Sequence, residues 1–255
     1  MLPDFSPASS LIVRTVEDVV ANRSMPSDRV LRKQFGTCDM PYGRYGQRGT
    51  FYLEIPKTGS TTMKARFQSG GRMHELPSKF PQGVKNSFAF VREPLTRMLS
   101  GYGTLVKRLR SRLRKKLWPA FLSETDESKR FEGFVNMLTS RTDRDLASKD
   151  NNIDCVWQHV MTQMWFFNLY RAKVTYLARL EDLDTELGAI RLRLNVTFGD
   201  KGNSNKNEGE LDGVDVQNLS RTVPHAVEKL LKHLRQDYEC LQYPMPSIRA
   251  LAAGA

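Results

Sequence analysis

The chain has only three cysteines in 255 residues, Cys38, Cys155 and Cys240, and no CxxC pair. That scarcity excludes a disulfide framework and argues against a zinc site built on thiolates. Long apolar runs are also missing, and none approaches the roughly 18 residues needed to span a bilayer. The earliest one, Leu11-Ile12-Val13, follows Asp4 and stops at Arg14, so the start does not read as a secretory leader and no membrane anchor is expected in this chain. Acids are in deficit. Asp and Glu number 28 against 39 Lys and Arg, which leaves a formal charge of +11 and demands an anionic partner: a phosphorylated cofactor, a polysaccharide, nucleic acid or a membrane surface. Repeats and low-complexity tracts are absent, and a hydrophobic share of 40% fits a folded domain rather than a disordered or fibrous chain.

The pattern along the chain predicts one domain behind a lead-in. Residues 1–48 are polar and irregular, with Val13, Val16, Val19 and Val20 at helical spacing, and read as an N-terminal extension packed on a core of residues 49–255. Residues 41–49 are rich in turn formers and read as a boundary loop. Strands are expected at Thr50 to Ile55, Ser87 to Val91 and Val174 to Ala178. Helices are expected from Met63 to Phe67, from Pro94 along a stripe of Leu95, Leu99, Tyr102, Leu105, Val106, Leu109, Leu113 and Leu117, around Phe131 to Leu138, around Val156 to Phe167, and from Leu183 to Leu194. Residues 199–213 read as a loop, and Val227 to Leu241 as one closing helix. Strands alternating with helices specify an α/β fold: a single P-loop-like domain whose central parallel sheet carries helices on both faces.

Two segments carry chemistry. In the first, Pro56-Lys57-Thr58-Gly59-Ser60-Thr61-Thr62 lies between a strand and a helix. A helix start exposes unpaired amide hydrogens and partial positive charge, and Gly59 lets the backbone curl round an anion. Ser60, Thr61 and Thr62 add hydroxyls and Lys57 a full charge. Lys57 precedes Gly59 and nothing matches GxxxxGK(S/T), so this is not the usual nucleotide P-loop and a kinase is disfavoured. The second is Phe88-Ala89-Phe90-Val91-Arg92-Glu93-Pro94-Leu95-Thr96-Arg97-Met98-Leu99-Ser100-Gly101-Tyr102. Arg92 falls at the C-terminal end of a strand, where open parallel sheets bind ligands, and Ser100 two turns into the next helix. A guanidinium is a fork-shaped phosphate donor, and this pair can grip a second phosphate. A salt bridge to a carboxylate for Arg92, and a plain helix-packing role for Ser100, are the alternatives.

Together the two segments resemble the sulfotransferase superfamily, in the style of Golgi carbohydrate sulfotransferases. The first is similar to that family's 5′-phosphosulfate loop and the second to its 3′-phosphate segment. Weaker likenesses lie at His159 to Gln163, an HxxxQ pattern, at Val174 to Leu183, and at Asp237 to Tyr243. The resemblance implies 3′-phosphoadenosine 5′-phosphosulfate as donor, held by Lys57, Thr58, Gly59, Ser60, Thr61, Thr62, Arg92 and Ser100, with Asn205 and Lys206 on the adenosine and no metal. It implies a hydroxyl acceptor, a carbohydrate first, with a small metabolite or a tyrosine as alternatives, and places the chain in the Golgi lumen; the cytoplasm is the alternative if no anchor or leader was removed. Three sequons, at Asn22, Asn195 and Asn218, are compatible with a secretory lumen.

Sulfuryl transfer needs a base for the acceptor proton and positive charge at the leaving oxygen. Lys57 suits the second task. For the first, Arg72-Met73-His74-Glu75-Leu76-Pro77 resembles the family's THLP stretch with Glu75 inserted, and both His74 and Glu75 stand as candidates. Residues 107–116 carry seven Lys or Arg and no acid. That run reads either as a solvated helix face or as a grip for an acidic polymer; too few aromatics interleave with it for a nucleic-acid stacking platform. A basic polyanion-binding module without chemistry is the rival to the enzyme.

Overall fold

The computed structural model describes residues 43–45, 49–66, 84, 86–106, 123–140, 158–170, 174–199 and 214–254. Four strands make one sheet in the order β1 (Gly43–Tyr45), β2 (Thr50–Leu53), β3 (Asn86–Val91) and β4 (Tyr176–Arg179). β2, β3 and β4 run parallel, and β1 lies antiparallel on the outer edge of β2. The expected α/β fold is therefore present. The segment read as a boundary loop holds β1, because Gly43 to Tyr45 can pair their backbone with the exposed edge of β2, a non-local gain that turn composition does not register.

Helices α1 (Ser60–Arg66), α2 (Pro94–Thr104), α3 (Glu127–Ser140), α4 (Gln163–Tyr170) and α5 (Leu183–Leu194) precede a C-terminal group of α6 (Val216–Thr222), α7 (Pro224–His233), α8 (Arg235–Leu241) and α9 (Ile248–Ala253). β2 is buried along its whole length and β3 from Ser87 to Val91, and their side chains alternate between two cores. Phe51, Leu53, Ala89, Val91 and Leu177 join a large core with α2, α3, α4, α7 and α8. Tyr52, Phe88, Phe90, Tyr176 and Ala178 point the other way, into a smaller core closed by Met63 of α1 and by Leu187, Ile190 and Leu194 of α5. Tyr52 stacks on Phe88 at 5.1 Å, and Phe198 meets Phe88 edge-on at 6.2 Å.

α2 starts as its sequence asks. Pro94 occupies the first turn, where its missing amide hydrogen costs nothing, and the Glu93 carboxylate accepts from the amides of Leu95 at 3.2 Å and Thr96 at 2.6 Å. Leu105 and Val106 form a wider turn after it; the remainder of the expected stripe lies outside the described residues. Gly101 brings α2 onto the turn at residues 158–160, and a Cβ there would stand 2.0 Å from the His159 carbonyl oxygen.

Three helix expectations shift. α1 begins at Ser60 rather than Met63, because the Gly59 carbonyl already accepts from the Met63 amide at 2.9 Å. Val156 lies outside the described residues, and of the helix expected from it to Phe167, residues 158–162 form a turn instead; α4 begins at Gln163, where the Asp237 carboxylate caps it. The closing helix is two, α7 and α8, broken at Leu234 where ψ is −1°, while Leu230, Leu231, Leu234, Tyr238 and Leu241 keep one buried stripe through the break. α6 and α9 were not anticipated. On the closing helices His225 is exposed beside Glu132 at 2.6 Å, whereas His233 is half-buried and desolvation lowers its pKa.

Candidate active site

The first segment joins β2 to α1 and is shaped by its backbone. Lys57 has φ +70° and Gly59 φ +73°. Two left-handed residues in three curl the chain tightly, and the conformation costs about 1–2 kcal/mol for the lysine and almost nothing for the glycine. Gly59 also sits close to its neighbour: a Cβ on it would stand 2.6 Å from Cδ1 of Leu180, which follows β4, and that side chain would have to shift. Thr58 is buried and its hydroxyl donates to the Ile55 carbonyl at 2.8 Å, so that hydroxyl closes the loop on itself. The amides of Ser60, Thr61 and Thr62 precede the first intrahelical bond, made by Met63, and point out of the start of α1. Ser60 is half-buried at that turn. Thr62 is buried, and its Oγ1 has no hydrogen-bond partner among the described residues. A glycine cradle, orphan amides and a buried hydroxyl without a partner fit an anionic group.

The second segment is shaped by distant side chains. Arg92 follows β3 directly, beside the loop that follows the parallel neighbour β2. The amide of Gln163 grips its backbone on both sides: Oε1 accepts from the Arg92 amide at 2.9 Å and Nε2 donates to the Arg92 carbonyl at 2.8 Å. Gln163 is itself fixed by Asp237, whose wholly buried carboxylate accepts from the amides of Gln163 at 2.7 Å and Met164 at 2.8 Å. Arg97 is wholly buried too. Its Nε donates to the Pro56 carbonyl at 2.9 Å, its Nη1 to the Met161 carbonyl at 2.5 Å, and its guanidinium lies 5.6 Å from the Phe166 ring. Burial lowers its pKa to about 10; Asp237 opposes that and the Arg92 charge adds to it. Burial raises the Asp237 carboxyl to about 6, against the pull of the two amides and Arg97. Ser100, two turns into α2, is half-buried, and its carbonyl accepts from the Thr104 hydroxyl at 3.1 Å.

The ends of β3 and β4 are tied to the C-terminal helices. The Glu93 amide donates to Glu181 at 2.7 Å, Tyr243 donates to the other Glu181 oxygen at 2.9 Å, and Tyr238 donates to Glu93. Burial, and then the carboxylates, push both phenols well above the usual tyrosine range. Arg179 lies over the Tyr243 ring at 4.6 Å and donates to the Gln242 carbonyl at 2.9 Å.

The loop at Lys57 to Thr62 and the segment from Arg92 to Ser100 thus meet at the C-terminal ends of neighbouring parallel strands. His74, Glu75, Asn205, Lys206 and the basic run 107–116 lie outside the described residues. Sequence reasoning missed Arg97, Gln163 and Asp237. Each falls inside a stretch that carried the family likeness, but their bonds span 41 to 74 residues and no spacing rule links them.

A sequence model of the sulfotransferase family matches residues 46–244, and the chain belongs to that family. It is accordingly a transferase for sulfuryl groups, and the family generally draws on 3′-phosphoadenosine 5′-phosphosulfate and hands the group to a hydroxyl. No curated protein and no solved structure matches the chain.

Proposed function

We propose that this chain transfers a sulfuryl group from 3′-phosphoadenosine 5′-phosphosulfate to a carbohydrate hydroxyl. The observation that carries the reading is the bond from Arg97 to the Pro56 carbonyl, which ties the two anion-binding segments into one unit. In that unit Lys57, the Gly59 turn, and the amides and hydroxyls of Ser60, Thr61 and Thr62 hold the 5′ end, with Thr58 bracing the loop. Arg92 and Ser100 hold the 3′-phosphate. Asn205 and Lys206 contact the adenosine. When bound, the donor supplies the sulfuryl group and a nucleotide phosphate as leaving group. Lys57 neutralises the charge that gathers on the departing oxygen, and His74 or Glu75 takes the proton of the acceptor hydroxyl. The basic run 107–116 draws an acidic glycan to the site. The 49–255 core does this work with residues 1–48 as an extension, in the Golgi lumen, where such acceptors are built.

Calorimetry with adenosine 3′,5′-bisphosphate, followed by transfer of radiolabelled sulfate onto a panel of glycans and small alcohols, tests the reading. Tight bisphosphate binding is expected, weakened at least tenfold in Lys57→Ala and in Arg92→Ala. His74→Ala should bind the bisphosphate normally and lose turnover; normal turnover would pass the role to Glu75. Binding of a magnesium nucleoside triphosphate in preference to the bisphosphate would sink the proposal. Salt-sensitive DNA binding without nucleotide affinity would replace it with a polyanion-binding module, a reading with which the +11 charge is equally compatible.

A further inference from the structure

We infer that Gln163 is a positioning residue that sets where the Arg92 guanidinium stands, and so governs discrimination between a nucleotide with phosphates at both ends and one with a single phosphate. The inference rests on the assignment of Arg92 to the 3′-phosphate.

Arg92 is the first residue beyond β3, where the ladder that fixes the strand ends. A residue there normally takes its orientation from whatever the loop allows. Here the Gln163 side chain continues the ladder by proxy, engaging both the amide and the carbonyl of Arg92 as a neighbouring strand would. The guanidinium hangs on a long side chain, so a tilt of about 10–20° at its root carries a two-toothed grip out of register. The clamp is rigid because its own base is pinned. The Gln163 backbone amide ends on Asp237, and the Met161 carbonyl two residues earlier is held by Arg97. Arg97 in turn holds Pro56, at the root of the 5′-side loop. One turn, residues 161–163, therefore serves as the common reference for both anion grips, and the distance between them is set by side chains that touch neither phosphate. A glutamine carries a donor group and an acceptor group side by side on one neutral planar head, the pairing that an amide and a carbonyl on one residue require.

Removing the side-chain amide should loosen Arg92 without altering the first loop. The test is calorimetric titration of the wild type, Gln163→Ala and the near-isosteric Gln163→Met with adenosine 3′,5′-bisphosphate and with adenosine 5′-monophosphate, alongside thermal unfolding. In the variants bisphosphate affinity is expected to fall about tenfold while monophosphate affinity holds, so that the ratio narrows. An unchanged ratio in a folded variant, or equal losses for both nucleotides, overturns the inference and leaves the donor assignment standing. If Gln163→Ala is too unstable to bind either nucleotide, Gln163→Met decides. A wild-type chain that does not bind the bisphosphate overturns the donor assignment and this inference together.

Discussion

The two anion-binding segments are held in opposite ways. The loop at Pro56 to Thr62 takes its shape from its own backbone: two left-handed residues, a threonine that bonds back three residues, and the first turn of α1. The segment from Arg92 to Ser100 begins in a β-strand and continues in a capped helix, both ordinary, and takes its precision from Gln163, Arg97 and Asp237, which form a buried polar block. The first stores strain locally and the second stores it in desolvation. Strain of the first kind reports on one or two φ angles. Strain of the second kind reports on a network in which the loss of one member leaves its partners buried and unpaired.

The contrast is broken most severely at Asp237. Asp237→Ala strands the amides of Gln163 and Met164 and leaves the Arg97 charge uncompensated, and should cost about 3–5 kcal/mol in urea unfolding. The same residue makes a pH signature. Its carboxyl lies at about 6 in the fold against an ordinary 3.8, so the unfolded chain gives up that proton first. Its contribution to stability is therefore full below about pH 4 and declines as pH rises through 6, and Asp237→Asn should remove that part of the profile. At the first segment the expected changes are smaller and opposed. Gly59→Ala should cost about 1–2 kcal/mol of stability, because alanine must adopt the left-handed angle and displace Leu180. Lys57→Gly should add up to about 1 kcal/mol while sulfate transfer falls about a hundredfold or more, which would show strain kept for chemistry. His225→Ala sharpens the comparison from outside: its pair with Glu132 is exposed, and stability and nucleotide binding should move by no more than about 0.5 kcal/mol.

Local determinants explain what could be read in advance. Pro94 and Glu93 announce the start of α2, Gly59 announces the turn, short β-prone apolar runs announce β2 and β3, and 3.6-residue apolar patterns announce α3 and α5, since each signal acts within a few residues. The start of α4 was misplaced because the carboxylate that caps it comes from residue 237, 74 positions away. β1 was missed because its reason for existing is the edge of β2 and not its own composition. The second segment's motif could be read, but not the clamp that aims it. Arg97 looked like one more cation in a basic chain, and its complete burial is what separates it from the other Lys and Arg among the described residues.

The contact at Gly101 has a further consequence. Where a backbone carbonyl rests directly against a helix there is no side chain to absorb error, so α2 and the turn at His159 can move only together. That turn leads within four residues to Gln163, so one hydrogen atom at position 101 stands in for a shim: anything thicker would be felt not where it was inserted but at the far end of the guanidinium it was never near.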